Sequence, residues 1–249
     1  MPLKQAVRDQ VIQYCNAHLP PSADVATMFG FIEDAKLRDQ IGTEFQAARY
    51  IYKLGEALAA DELQLHSHVK FQVVQYASIY EAVIVHLLWT KFAEHAAVVA
   101  IEFHKGFRRV ASLPTTLQLN TTDGEPVHLC AETLQRTPRV SIKFDDKVDA
   151  AVKIGFLDDV IGAEIKGFYK LRNAIHLESA VKNEAKYELA TSQLAFLRMQ
   201  PFTRGIKDFL ATGQLSEAAK PKQAAQSADL AVIAETGPAV ASAGTEAQP

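Results

Sequence analysis

Residues 71–89 read FQVVQYASIYEAVIVHLLW. Wound at about 3.6 residues per turn, this text carries apolar side chains on almost every face, and a helix apolar all round is a central one. Glu81 and His86 interrupt it and Lys91 follows it, so the run ASIYEAVIVHLLWTKF is expected to be too short and too polar to span a bilayer. The reading is a core helix over residues 62–92 of a mainly α fold, with no membrane partner.

Working outward, residues 36–60 place Ile41, Phe45, Ala48, Ile51 and Leu54 at helical spacing, which predicts a second long helix. Residues 3–17 repeat the pattern at Ala6, Val11, Ile12 and Cys15 until LPPS stops it. After the core run, EHAAVVAIEFHKGFRRV is expected to continue as helix following a break. Residues 113–144 then change character. The segments LQLN and VHLC alternate apolar and polar residues on either side of TTDGEP, a β-hairpin pattern built on an Asp-Gly turn. RVSIKF is expected to add a third short strand.

Helices resume beyond this insertion. Asp145 is placed to cap DKVDAAVKIG, with Gly155 at its end, and Asp158 to cap DVIGAEIKGFYKLRNAIHL. The last helical stretch covers residues 184–213, divided or kinked at Pro201 and ended by Gly213. From residue 214 the text is rich in Ala, Ser, Gln and Pro without an aromatic residue, so residues 214–249 are expected to be a disordered tail. The expectation is an up-and-down helical bundle over residues 1–213, as a single domain with a β insertion at 113–144.

Composition narrows the chemistry. The chain has 249 residues, 48% of them hydrophobic and 22% charged, with a net charge of −3, so nucleic-acid binding requires a local basic patch. Cys15 and Cys130 lie far apart without metal-ligand spacing, which suits free thiols in a reducing cytosol. The charged, amphipathic opening MPLKQAVRDQVIQYC is unlike a signal peptide, and a cytoplasmic location is expected. His66, His68, His86, His95 and His104 are scattered without an HExxH arrangement, and Gly155, Gly162 and Gly167 form no phosphate loop. Neither a metal nor a cofactor is expected.

The stretch KLRNAIHLES, residues 170–179, carries more polar chemistry than packing needs. On one continuous helix Arg172 and His176 stand four residues apart, about 40° from each other on one face. Arginine offers a planar fork for phosphate oxygens, and histidine moves protons near neutrality. Asn173 can hold a ring nitrogen or a ribose hydroxyl. Together they form a minimal kit for metal-independent RNA cleavage, in which the 2′-hydroxyl attacks the adjacent phosphate. The plain alternative is an arginine and a histidine solvated on a helix surface. Lys166 and Lys170, one turn apart, with Lys182 and Lys186 beyond, are candidates for a positive binding patch. Glu81 inside the apolar helix needs a partner, for which Arg172 or His176 of another helix is the candidate, or else a solvated groove.

VVQYASIYEAVIVHLL and FDDKVDAAVKIGFLDDVIGAEIKGFYKLRNAIHLE together resemble two parts of the HEPN superfamily, the higher eukaryotes and prokaryotes nucleotide-binding domain. The first is similar to its long second core helix, the second to the later half of its bundle, which ends in an Arg-polar…His signature. The resemblance covers residues 40–211 and implies an all-α dimer in which both subunits bring Arg and His to one cleft. It implies endoribonuclease activity without a metal, in a toxin or phage-defence role, with Arg172, Asn173 and His176 in the motif places. The spacing departs from the family's. Three residues separate Arg172 from His176, where the signature has four to six, and Lys170 rather than an arginine stands six before His176. Members of the family that bind RNA, a nucleotide or a protein partner without cutting are the alternative.

Overall fold

The computed structural model describes residues 2–111, 119–182, 184–217 and 220. The protein is mainly α. In chain order the described elements are α1 (Gln5–Ala17), α2 (Ser22–Met28), α3 (Ala35–Ala57), α4 (Glu62–Thr90) and α5 (Ala96–Glu102). Next come β1 (Phe103–Arg109), β2 (Leu119–Asn120), β3 (Pro126–Val127) and β4 (Cys130–Arg136). They are followed by α6 (Phe144–Ile154), α7 (Asp159–Asn173), α8 (Leu177–Lys182), α9 (Leu189–Leu197) and α10 (Met199–Thr212).

The apolar run is the axis of the structure. α4 packs against α3, α6, α7 and α9, and Tyr76, Tyr80, Val83, Ile84, Leu87 and Leu88 are buried along it. α3 lies antiparallel to it, since Phe45 meets Tyr76 and Gly55 meets His68. Tyr80 sits edge-on to Phe202 with centroids 4.9 Å apart and donates its hydroxyl to the Ala195 carbonyl at 2.7 Å. That bond lets a phenol sit at the centre of the core without an orphaned polar atom. The first part of α4 joins a second, smaller core in which Val69 and Val73 pack with Tyr187, Leu171 and Leu189. Taken whole, α4 is long and apolar enough to cross a membrane, which corrects the expectation drawn from its second half. In the fold, 56% of its most apolar window is buried.

Several expected boundaries move. The helix after α4 is only α5, and FHKGFRR is strand β1, paired antiparallel with β4 from Phe103↔Arg136 to Arg109↔Cys130. Its two phenylalanines favour a strand, and its basic residues suit one that is largely exposed. The Asp-Gly turn stands where expected: Gly124 has φ +85, a conformation that favours glycine, and joins β2 to β3. Residues 113–118 of the expected insertion lie outside the described residues, as do 221–249 of the expected tail.

RVSIKF is not a strand. Residues Arg139–Ser141 form a 3₁₀ turn, and Phe144 opens α6 because its ring is buried in the main core with Val148 and Ala151. Asp145 therefore falls in the first turn of α6, where its charge still favours the helix dipole, while Lys143 takes the cap position. Gly155 ends α6 at φ +100, and Gly213 ends α10 at φ +76. The segment 185–188 is not helical, with Glu188 extended, and the division of the last helix falls at Arg198, three residues before Pro201. Proline is tolerated there because the first turn of a helix has no internal partner for its N–H. The short α2 has no counterpart in the sequence expectation.

Candidate functional site

α7 is positioned from both ends. Its N-terminus is capped by Asp158, whose carboxylate accepts from Val160 N at 3.0 Å and Ile161 N at 3.2 Å. Ile161, Ile165 and Phe168 bury one face in the core. Three residues further along α4 than Ser78, Glu81 then meets the polar side of α7.

The Glu81 carboxylate takes Arg172 as its partner, with Nη2 3.4 Å from Oε2, and accepts the Tyr169 hydroxyl on Oε1 at 3.3 Å. The guanidinium also donates through Nη1 to Asn173 Oδ1 at 3.1 Å, and its carbon lies 5.2 Å from the Tyr169 ring centroid. Phe144 backs that ring, centroid to centroid 4.2 Å. Burial, reinforced by the Glu81 charge, pushes the Tyr169 hydroxyl up, so it stays a neutral donor. Lys147 of α6 is buried, and burial lowers its ammonium pKa while Glu81 opposes the shift. Arg172 thus pairs with Glu81 while Lys147 feels the same charge without an ion pair to it, and Arg172 stays partly exposed.

The structure overturns one premise of the sequence reading. Arg172 and His176 do not share a helix. α7 ends at Asn173: the Ala174 N–H divides between the Lys170 and Leu171 carbonyls, each at 3.1 Å, and the Ile175 N–H reaches only the Arg172 carbonyl at 3.4 Å. Two side chains brace carbonyls around the end of the helix. Tyr187 donates to Leu171 O at 2.8 Å, and Lys70 donates to Ile175 O at 3.3 Å. His176 follows the turn, exposed, and its carbonyl accepts from Ala180 N at 2.8 Å to open α8. The 40° relation of a continuous helix therefore does not apply.

The remaining candidates divide. Asn173 is exposed beside Arg172, and Lys170 is exposed on α7. Lys166 is tied to Asp149 at 2.5 Å, so its charge is largely neutralised within the chain. Lys182 and Lys186 are exposed. Sequence reasoning missed Tyr169, Lys70 and Lys147. The signal for Lys147 was present: it lies three residues after Phe144 and four before Ala151, at an apolar-face position of α6. Tyr169 likewise precedes Arg172 by one helical turn. Among the described residues no group of three or more His, Cys, Asp or Glu side chains is arranged to hold a metal ion.

Fold and site together describe a mainly α protein with a polar cluster between its central helix and α7. Against protein-family models, curated proteins and solved structures, the chain has no match.

Proposed function

We propose that this chain is a HEPN-like, metal-independent endoribonuclease, acting as a cytoplasmic homodimer in a toxin or phage-defence role. The observation that carries the reading is the held but partly exposed Arg172, braced by Glu81 and Tyr169 next to exposed Asn173. Arg172 binds the non-bridging phosphate oxygens, and Asn173 positions the ribose. The 2′-oxygen attacks phosphorus, a histidine takes its proton, and the 5′-oxygen leaves with a proton, giving a 2′,3′-cyclic phosphate. In the homodimer two copies of His176 divide those two transfers, a contribution of about 10²–10⁴-fold.

A second reading is a non-catalytic HEPN-like module that binds RNA, a nucleotide or a protein partner. It is favoured by the end of α7 at Asn173, which takes His176 off the arginine's helix. The purified chain, incubated with a chelator and matched RNA and all-2′-deoxy oligonucleotides, separates the two. The nuclease reading expects cleavage of RNA alone, leaving cyclic phosphate ends. Retention of RNA without any cleavage supports the second reading, and equal cutting of both oligonucleotides contradicts the mechanism.

A further inference from the structure

A second site lies on another side of α3, built from residues that the Glu81 cluster does not use. A cleft of about 480 Å³ opens where the α1–α2 connection faces α3 and the α9–α10 junction. Leu19, Pro20, Met28, Phe45, Phe196 and Met199 give it apolar walls. That volume and lining suit a small organic ligand.

One cation stands in this apolar wall. The Arg49 guanidinium carbon lies 3.9 Å from the Phe196 ring centroid and 4.9 Å from that of Tyr52. Stacking holds the guanidinium plane but leaves its N–H edge to find acceptors elsewhere. No described carboxylate lies within ion-pair reach, and its buried Nε has no hydrogen-bond partner. The fully buried Tyr76 hydroxyl lies behind the cleft wall beside the guanidinium, which acts on it by charge and by a side-chain contact. Burial pushes that hydroxyl far up, so it remains a donor. An unsatisfied buried donor such as the Arg49 Nε is costly, and native structures rarely keep one without a partner. Gln200 adds an amide at the cleft.

We propose that this cleft binds an amphiphilic monocarboxylate, its apolar body along Met28 and Phe45 and its carboxylate on Arg49. A carboxylate matches the planar fork, offers acceptors to the guanidinium edge and neutralises a charge that has no described carboxylate partner. A neutral molecule of the same shape fills the cleft but leaves that charge unmet.

The test is calorimetric titration of the full chain with decanoate and, separately, decanol. Decanoate binds more tightly than decanol. Arg49→Gln weakens decanoate by about ten- to a hundredfold and leaves decanol nearly unchanged. Ala17→Trp, at the exposed rim, blocks both without touching the guanidinium, and it decides the matter should Arg49→Gln fail to fold. Absence of decanoate binding to the wild type overturns the proposal. So does decanoate binding that neither variant weakens.

Discussion

α7 is joined to its neighbours by two arginine–glutamate pairs of different construction. Glu164 meets Arg198 through two bonds, Nε at 2.6 Å and Nη2 at 3.0 Å, with side chains only 14% and 8% exposed. Glu81 meets Arg172 through one contact at 3.4 Å, with side chains 25% and 34% exposed. The first pair is a buried brace between α7 and the α9–α10 junction, and its fork geometry is satisfied within the protein. The second is looser and more exposed, so solvent reaches the guanidinium. The same residue types on one helix thus form a closed, buried brace with Glu164 and a looser, more exposed contact at Arg172.

The largest expected effect separates the two pairs. Arg198→Ala leaves Glu164 charged and unpaired in a buried setting and costs about 3–5 kcal/mol in urea unfolding. Arg172→Ala costs no more than about 1 kcal/mol, because water replaces the lost contact. Equal losses would erase the distinction.

The two ends of α7 give smaller effects. Asp158→Ala removes the bonds to Val160 N and Ile161 N and costs about 1 kcal/mol. Tyr187→Phe removes the hydroxyl on the Leu171 carbonyl and costs about 0.5–1.5 kcal/mol. Amide hydrogen exchange at Ala174 and Ile175 rises in Tyr187→Phe if that bond sets the helix end.

The smallest effect is a pH slope at the base of the β1–β4 ribbon. The Arg136 bond, with Arg139 adding to it, holds the Glu102 carboxyl below its ordinary value of 4.5. A lowered folded-state value means stability that is full above the ordinary value and fades as pH falls through the lower one. Glu102→Gln removes this slope, as unfolding measured across the acid range shows.

Much of the architecture was legible because it rests on strong local signals. The all-round apolar text of 71–89 marks the central helix, Asp158 marks the start of α7, and Gly155 and Gly213 mark the ends of α6 and α10. The end of α7 was not legible, because no glycine or proline marks it. The turn there is braced by Tyr187 on the Leu171 carbonyl and by Lys70 on the Ile175 carbonyl just beyond, side chains that the local sequence does not announce. For the same reason RVSIKF misled: its alternation resembles a strand, but the burial of Phe144 beside Val148 decides for a helix. In the candidate site, Glu81 was legible as a buried-helix carboxylate in need of a partner. Tyr169 and Lys147 emerged only once α6 and α7 were packed against α4.

The most direct test is the rate at which His176→Ala cleaves single-stranded RNA in the presence of a chelator. Its exposed position means the variant keeps the wild-type unfolding midpoint. The account predicts a loss of at least about a hundredfold relative to the wild type. Cleavage at the wild-type rate by a folded His176→Ala protein would contradict it.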